Sequence, residues 1–296
     1  MSKKVIEVLD LSKSYRDRRF RLINAVKDVT FDIEQGEAFG FIGPNGAGKS
    51  TTIKMLTGII RPTAGQAKLF GQSVDDASAR FGMSYVPENP YLYDYLTPLE
   101  ILKMGVAMQR LRLDDVEKHC MYWLDRFDIA HAAKRRIRGF SKGMTQRTAL
   151  AHALACKPRL MILDEPLSGL DPVGRKDVVD VLVEYRQQGG AIFFSSHVLH
   201  DVERLADRFG LIHKGELRTV RHPHELIETD ARLVVRTIGD REVEGMQREG
   251  ESRWRGEFDQ DMVWDALERL HRADHRIMEI KPTMDLERTF MTYVGR

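Results

Sequence analysis

Three short runs along the chain are continuously apolar rather than alternating: Ala38–Ile42 (AFGFI), Leu160–Leu163 (LMIL) and Ala191–Phe194 (AIFF). Runs of this kind suit strands buried on both faces, as in a parallel sheet covered by helices. A polar or glycine-rich turn follows each one, at the strand end where open α/β sheets bind ligands. Val29, Phe31 and Ile33 instead alternate with Thr30 and Asp32, the pattern of an antiparallel strand with one buried face. Between Pro98 and Ala155 the periodicity turns helical. Thr97-Pro98 opens a helix carrying Ile101, Leu102, Val106 and Leu111, a second spans about Asp114 to Phe127, and Ser141 N-caps a third that carries Leu150, Ala153 and Leu154.

Beyond Gly215 the pattern shifts again. Leu233–Thr237, Arg253–Phe258 and Arg276–Ile280 read as strands, Val263–Leu270 as a helix, and Asp285–Tyr293 as a last helix. The boundary falls near His222-Pro223, which gives domains 1–221 and 222–296, with a helical insert at about 90–155 in the first. The fold class is α/β, with a small α+β domain at the C-terminal side. No internal repeat or low-complexity segment interrupts the 296 residues.

Composition narrows the function classes. Forty-six basic against 44 acidic side chains leave a net charge of +2, so no global field attracts nucleic acid or an anionic membrane. Arginines between Arg232 and Arg255 are interleaved with Asp240, Glu242, Glu244, Glu249 and Glu251, which also argues against nucleic acid. No apolar stretch approaches the length of a membrane span, and the N-terminal MSKKVIEVLDL has no signal-peptide core. Cys120 and Cys156 form no CxxC pattern and read as small buried hydrophobes in a reducing compartment.

The chemistry lies in two motifs. Gly43–Ser50 reads GPNGAGKS, a match to GxxxxGK[ST] with a buried strand before it and a helix after it. Its glycines, with Asn45 among them, let backbone N–H groups turn toward phosphate oxygens, and the helix N-terminus adds a positive dipole. Lys49 is then placed between the β- and γ-phosphates, Ser50 on Mg²⁺, and Thr51 behind the phosphates. Leu160–Pro166 reads LMILDEP, so two carboxylates end a buried strand. Asp164 is suited to hold Mg²⁺ through a water, and Glu165 to polarise a water for attack on the γ-phosphate. Adjacent acids disfavour each other's ionisation, a conflict that a cation relieves.

FSKGMTQR at Phe140–Arg147, SGLD at Ser168–Asp171 and SSH at Ser195–His197 complete a series with GPNGAGKST and LMILDEP. In this order and spacing the motifs resemble the ATPase domain of ABC transporters, over about residues 5–220. The resemblance implies a P-loop NTPase core with an antiparallel β subdomain and a helical insert. It implies that Tyr15 stacks on adenine and that Gly43, Asn45, Gly46, Gly48, Lys49, Ser50 and Thr51 hold the triphosphate of ATP. Glu88 stands in the lid loop near Mg²⁺, beside the metal-binding Ser50 and Asp164. Ser141 and Gly143 touch the γ-phosphate of a partner subunit, Asp171 shapes the dimer interface, and Glu165 and His197 act in hydrolysis. Taken alone, Tyr15 reads as a half-buried strand aromatic and His197 as a structural histidine.

Two departures matter: Glu88 in YVPENP where most such ATPases have glutamine, and FSKGM where many have LSGGQ. Both look like the branch that serves exporters with short six-helix permeases, and DLERTFMTYVGR resembles that branch's tail. The implied partners are a second copy or a paralogous ATPase subunit and an integral-membrane permease, at the cytoplasmic face of the inner membrane. Tyr91, Tyr93 and Tyr95 either line a cleft for the permease or pack the insert onto the sheet. Lys134, Arg135, Arg136 and Arg138 either meet the permease or lipid headgroups or form a solvated face. Soluble ABC ATPases acting on ribosomes or DNA, and importer ATPases, are the alternatives. The former usually carry two cassettes or a long coiled coil, neither of which is found here.

Overall fold

All residues of the three continuous apolar runs are buried, and all three are strands of one sheet. The computed structural model describes residues 3–16, 19–223, 225 and 232–282, and packing divides the chain into Met1–Val220 and Arg221–Arg296.

The first unit starts with two long strands, β1 (Lys4–Arg16) and β2 (Leu22–Glu34), paired antiparallel. β3 (Ala38–Ile42) leads into α1 (Lys49–Leu56), followed by β4 (Ala64–Leu69), β5 (Gln72–Ser73) and β6 (Met83–Val86). The helical stretch gives α2 (Pro98–Met108), α3 (Val116–Arg126) and α4 (Lys142–Ala155). The remainder is β7 (Leu160–Leu163), α5 (Pro172–Gln187), β8 (Ala191–Ser196), α6 (Leu199–Leu205), β9 (Arg208–His213) and β10 (Glu216–Arg221).

Two sheets result. One runs β2-β1-β4-β5 and the other β10-β9-β3-β8-β7-β6. In the second, β3 is parallel to β8 and β9, and β7 is parallel to β8 and β6, so the carboxyl ends of β3, β7 and β8 lie side by side. Val29, Phe31 and Ile33 face inward as the alternation predicts. Phe31 stacks on Phe39 at 5.3 Å and on Phe193 at 5.6 Å, joining the two sheets. Such pairs add about 0.5–1.5 kcal/mol beyond the area they bury.

The first and third insert helices begin at the caps read from sequence, and the second, placed from about Asp114, begins at Val116. Thr97 and Glu100 form a reciprocal capping box, Asp115 accepts from Lys118 N, and Ser141 accepts from Met144 N. Cys120 and Cys156 are both buried free thiols, and burial pushes Cys156 up to about 11. Tyr91, Tyr93 and Tyr95 are exposed, Tyr91 at 98%, so they do not pack the insert onto the sheet. Lys134, Arg135, Arg136 and Arg138 are exposed as well. Among the described residues no helix is long and apolar enough to cross a membrane.

The second unit holds an antiparallel sheet, β11 (Arg232–Ile238), β12 (Met246–Arg248), β13 (Arg253–Asp259) and β14 (Arg276–Pro282), in the order β12-β13-β11-β14. Helix α7 (Val263–Arg272) closes its core, placing Val263, Ala266 and Leu270 against Val235, Trp254 and Phe258. The helix expected at Asp285–Tyr293 lies outside the described residues.

Candidate functional site

The turn after β3 wraps back so that the amine of Lys49 donates to the carbonyl of Gly43 at 2.6 Å and of Pro44 at 3.4 Å. Gly48 has φ +116°, and a Cβ there would lie 2.6 Å from the carbonyl oxygen of Ala25, so only glycine closes this turn. Helix α1 has no side-chain cap hydrogen bond and no acidic residue in its first turn. Its N-terminal N–H groups and dipole therefore lack a negative side chain of their own, which is the arrangement an anion completes.

Asn45, Gly46, Gly48, Lys49, Ser50, Thr51, Glu88, Glu165 and His197 line one pocket, together with Ala25, Pro44 and Ala47. Gly43 is not on its wall and acts through its carbonyl on Lys49. Asp164 lies beneath the pocket, 4% exposed. Tyr15 is exposed on β1 outside the pocket lining, with the Lys13 ammonium 5.3 Å above its ring. Ser141 and Gly143 head α4, and Asp171 caps α5 by accepting from Gly174 N at 3.3 Å; none of these three lines the pocket.

The paired acids are kept apart by their partners. Asp164 Oδ1 accepts from the Ser195 hydroxyl at 2.6 Å and from the Ser50 hydroxyl at 3.3 Å. Glu165 faces the other way: Oε1 is 3.5 Å from the Lys49 amine and Oε2 is 2.8 Å from His197 Nδ1. Hydroxyl donors on one acid and a cation on the other relieve the repulsion expected of neighbouring carboxylates. Glu165 adopts φ +50°, a left-handed conformation that is uncommon and strained for a residue with a side chain. Burial and the charge of Asp164 push the nearby Tyr85 hydroxyl up to about 12.

Ser195, part of the SSH run, takes a role not assigned to it from sequence. It is fully buried at the end of β8, and its hydroxyl both donates to Asp164 and accepts the backbone N–H of Glu165 at 2.9 Å. A polar residue closing the apolar run AIFF was the available signal, since a buried hydroxyl needs a partner.

The donor set fits a hard cation with phosphate. Ser50 and Asp164 offer oxygen, and among the described residues no three His, Cys, Asp or Glu side chains form a metal cage. Mg²⁺ is commonly held by one or two protein oxygens plus phosphate and water. Loop, helix terminus and lysine after β3, with the carboxylates at the end of β7, thus define a P-loop nucleotide-binding protein.

Comparison with known proteins gives the family. The ABC transporter family model matches residues 26–168. An ABC transporter ATP-binding protein of Synechocystis is 35% identical over 278 residues, covering 90% of this chain and 78% of its own. The bacitracin transport ATP-binding protein BcrA of Bacillus licheniformis is 36% identical over 222 residues, covering 72% and 68%. The dimeric ATP-binding cassette MJ0796, solved with ADP and Pi, superimposes with a TM-score of 0.68 at 22% identity, over 73% of this chain and 98% of that one, and shares the fold. The chain belongs to the ABC transporter ATP-binding protein family, and it is an ATPase of that family.

Proposed function

We propose that this chain is the ATP-hydrolysing subunit of a membrane exporter, and that it closes with a second copy or a paralogous subunit on two molecules of MgATP to drive a separate integral-membrane permease. One observation carries the reading. Lys49, Glu165, His197 and the Ser50–Asp164 pair converge on one pocket, whereas Ser141 and Gly143 lie outside it in the same chain. A signature loop kept away from its own pocket suits a contact with nucleotide bound by a partner. The dimeric state of MJ0796 supports that arrangement, and the transport role in BcrA's name supports work as a transporter subunit. The exposed Tyr91, Tyr93 and Tyr95 are available as permease contacts. Work at the cytoplasmic face of the membrane, held there by the permease, follows from that pairing.

In this reading Tyr15 stacks on adenine, and the loop from Gly43 to Thr51 takes the phosphates, with Lys49 setting its charge against the γ-phosphate. Ser50 and Asp164 hold Mg²⁺, with Glu88 nearby; the ion neutralises charge on the phosphate oxygens when bound. Glu165 accepts a hydrogen bond from the attacking water and aligns it with the γ-phosphate. His197 holds Oε2 of Glu165 and so fixes the direction of the other oxygen. Asp171 shapes the facing surface of the dimer, and residues 222–296 form an accessory domain that steadies or regulates the pair.

Mixing two inactive variants tests the shared site. Lys49→Ala disables the phosphate loop and Ser141→Arg the signature loop, so one site of their heterodimer retains both motifs. Partial recovery of ATPase activity on mixing is the expected result, and full activity of Ser141→Arg alone would overturn the reading. Co-purification from detergent-solubilised membranes separates an exporter subunit, which brings a hydrophobic permease, from an ATPase that brings ribosomes or DNA.

A further inference from the structure

Between the signature loop and the catalytic carboxylate lies a short bridge within one chain. The Lys142 amine, on the first turn of α4, donates to the Ser168 hydroxyl at 3.1 Å. Its aliphatic stem lies across Gly169: a Cβ at that glycine, which has φ +77°, would sit 2.7 Å from Lys142 Cδ. One turn further along α4, the buried Gln146 donates to the Pro166 carbonyl at 2.9 Å. The amide oxygen of Gln146 is buried without a hydrogen-bond partner among the described residues, so this side chain holds the loop by one bond. Ser168 N closes the same turn onto the carbonyl of Glu165 at 3.0 Å. Glu165 itself sits in strained left-handed backbone, a conformation that persists only where the surroundings hold it.

We infer that Lys142 is a positioning residue: it ties the signature loop to the turn that carries Glu165, so that engagement of this loop by nucleotide on the partner subunit sets the carboxylate of the same chain. The inference rests on the shared-site reading and adds a route from one ATP to the other. Ser141, next to Lys142, heads the helix at the proposed contact with the partner's nucleotide. Lys142 turns back onto Ser168 and Gly169, three and four residues after Glu165. Movement of the head of α4 is thereby passed to the Glu165 turn by two parallel tethers, the lysine at the exposed edge and Gln146 in the interior. Glycine at position 142 would leave Gln146 alone.

The test is steady-state ATP hydrolysis by the full chain with Mg²⁺, alongside nucleotide affinity. Lys142→Met keeps the stem over Gly169 and removes the amine. It is expected to lower kcat about fivefold with KM within about twofold, as loss of one solvent-exposed hydrogen bond that acts on the transition state implies. Lys142→Arg should restore at least half of the rate, and adding Ser168→Ala to Lys142→Met should lower it no further. Wild-type kcat in Lys142→Met, failure of the arginine to rescue, or full additivity with Ser168→Ala would each overturn the inference. Ser141→Arg, assayed in parallel, separates this from the reading beneath it. Normal hydrolysis there removes the shared site and the transmission with it. An inactive Ser141→Arg beside a wild-type Lys142→Met removes the tether alone.

Discussion

His197 Nδ1 lies 2.8 Å from Glu165 Oε2, while the other oxygen of the same carboxylate faces Lys49 Nζ at 3.5 Å. The carboxylate is held at both ends before any nucleotide is considered, which makes its orientation a property of the fold. Glu165→Gln preserves the shape and removes the charge that, in the proposed function, aligns and deprotonates water. We expect ATP binding to persist while turnover falls by roughly 10²–10⁴, the usual contribution of general-base catalysis. Prolonged occupancy should favour a closed dimer, seen by light scattering as an ATP-dependent doubling of mass. Normal hydrolysis would place the catalytic carboxylate elsewhere.

Ser195→Ala removes the hydroxyl that joins Asp164 to the backbone N–H of Glu165. Both groups lose a buried partner, so unfolding free energy should drop by about 1–3 kcal/mol. Turnover should fall while nucleotide affinity changes little, because Ser195 is not on the pocket wall. Urea titration and ATPase assays together check this. Unchanged stability and rate would mean that the serine carries neither acid.

Below neutrality His152 should act against the fold. Burial holds its imidazole below the usual value of 6.5, so the unfolded chain takes up a proton before the folded chain does. Stability is then lost as pH falls below about 6.5, at up to about 1.4 kcal/mol per pH unit. Asp201 and Glu37 are raised, mainly by burial, and work in the opposite sense nearer the ordinary carboxylate range. Urea midpoints at about pH 7.5 and 5.8 for wild type and His152→Gln separate the contributions. The wild type should lose more on acidification, and identical losses would refute the assignment.

Truncation after Val220 removes the second unit and leaves every nucleotide motif in place. The shortened protein should bind ATP with affinity close to that of the full chain, measured by titration, and differ in dimer opening, permease assembly or transport. A soluble truncation that binds no ATP would show that the second unit contributes to the site. One that binds, hydrolyses, assembles and transports like the full chain would make that unit a passive appendage.

The readable part of this protein is the part whose physics is local. The phosphate loop makes its contacts within a few residues: Lys49 returns to the carbonyls of Gly43 and Pro44, and the glycine that closes the turn is part of the same motif. Continuous burial on both faces announces β3, β7 and β8, and caps announce α2 and α4, because burial and end effects leave periodic or positional traces. Helix α5 is also announced locally, by Asp171 as N-cap followed by Pro172, although from sequence Asp171 is named only within the SGLD motif. Tertiary structure alone decided which polar side chains meet. Ser195 reaches Asp164 and Glu165 from 30 or so positions away because β8 is the parallel neighbour of β7, and adjacent strands lie about 4.8 Å apart. Lys142 reaches Ser168 because α4 packs its first turn against the loop after β7. Hydropathy records whether a position is buried, but not which partner satisfies it. That depends on strand order and helix placement, which the pattern of apolar residues does not encode.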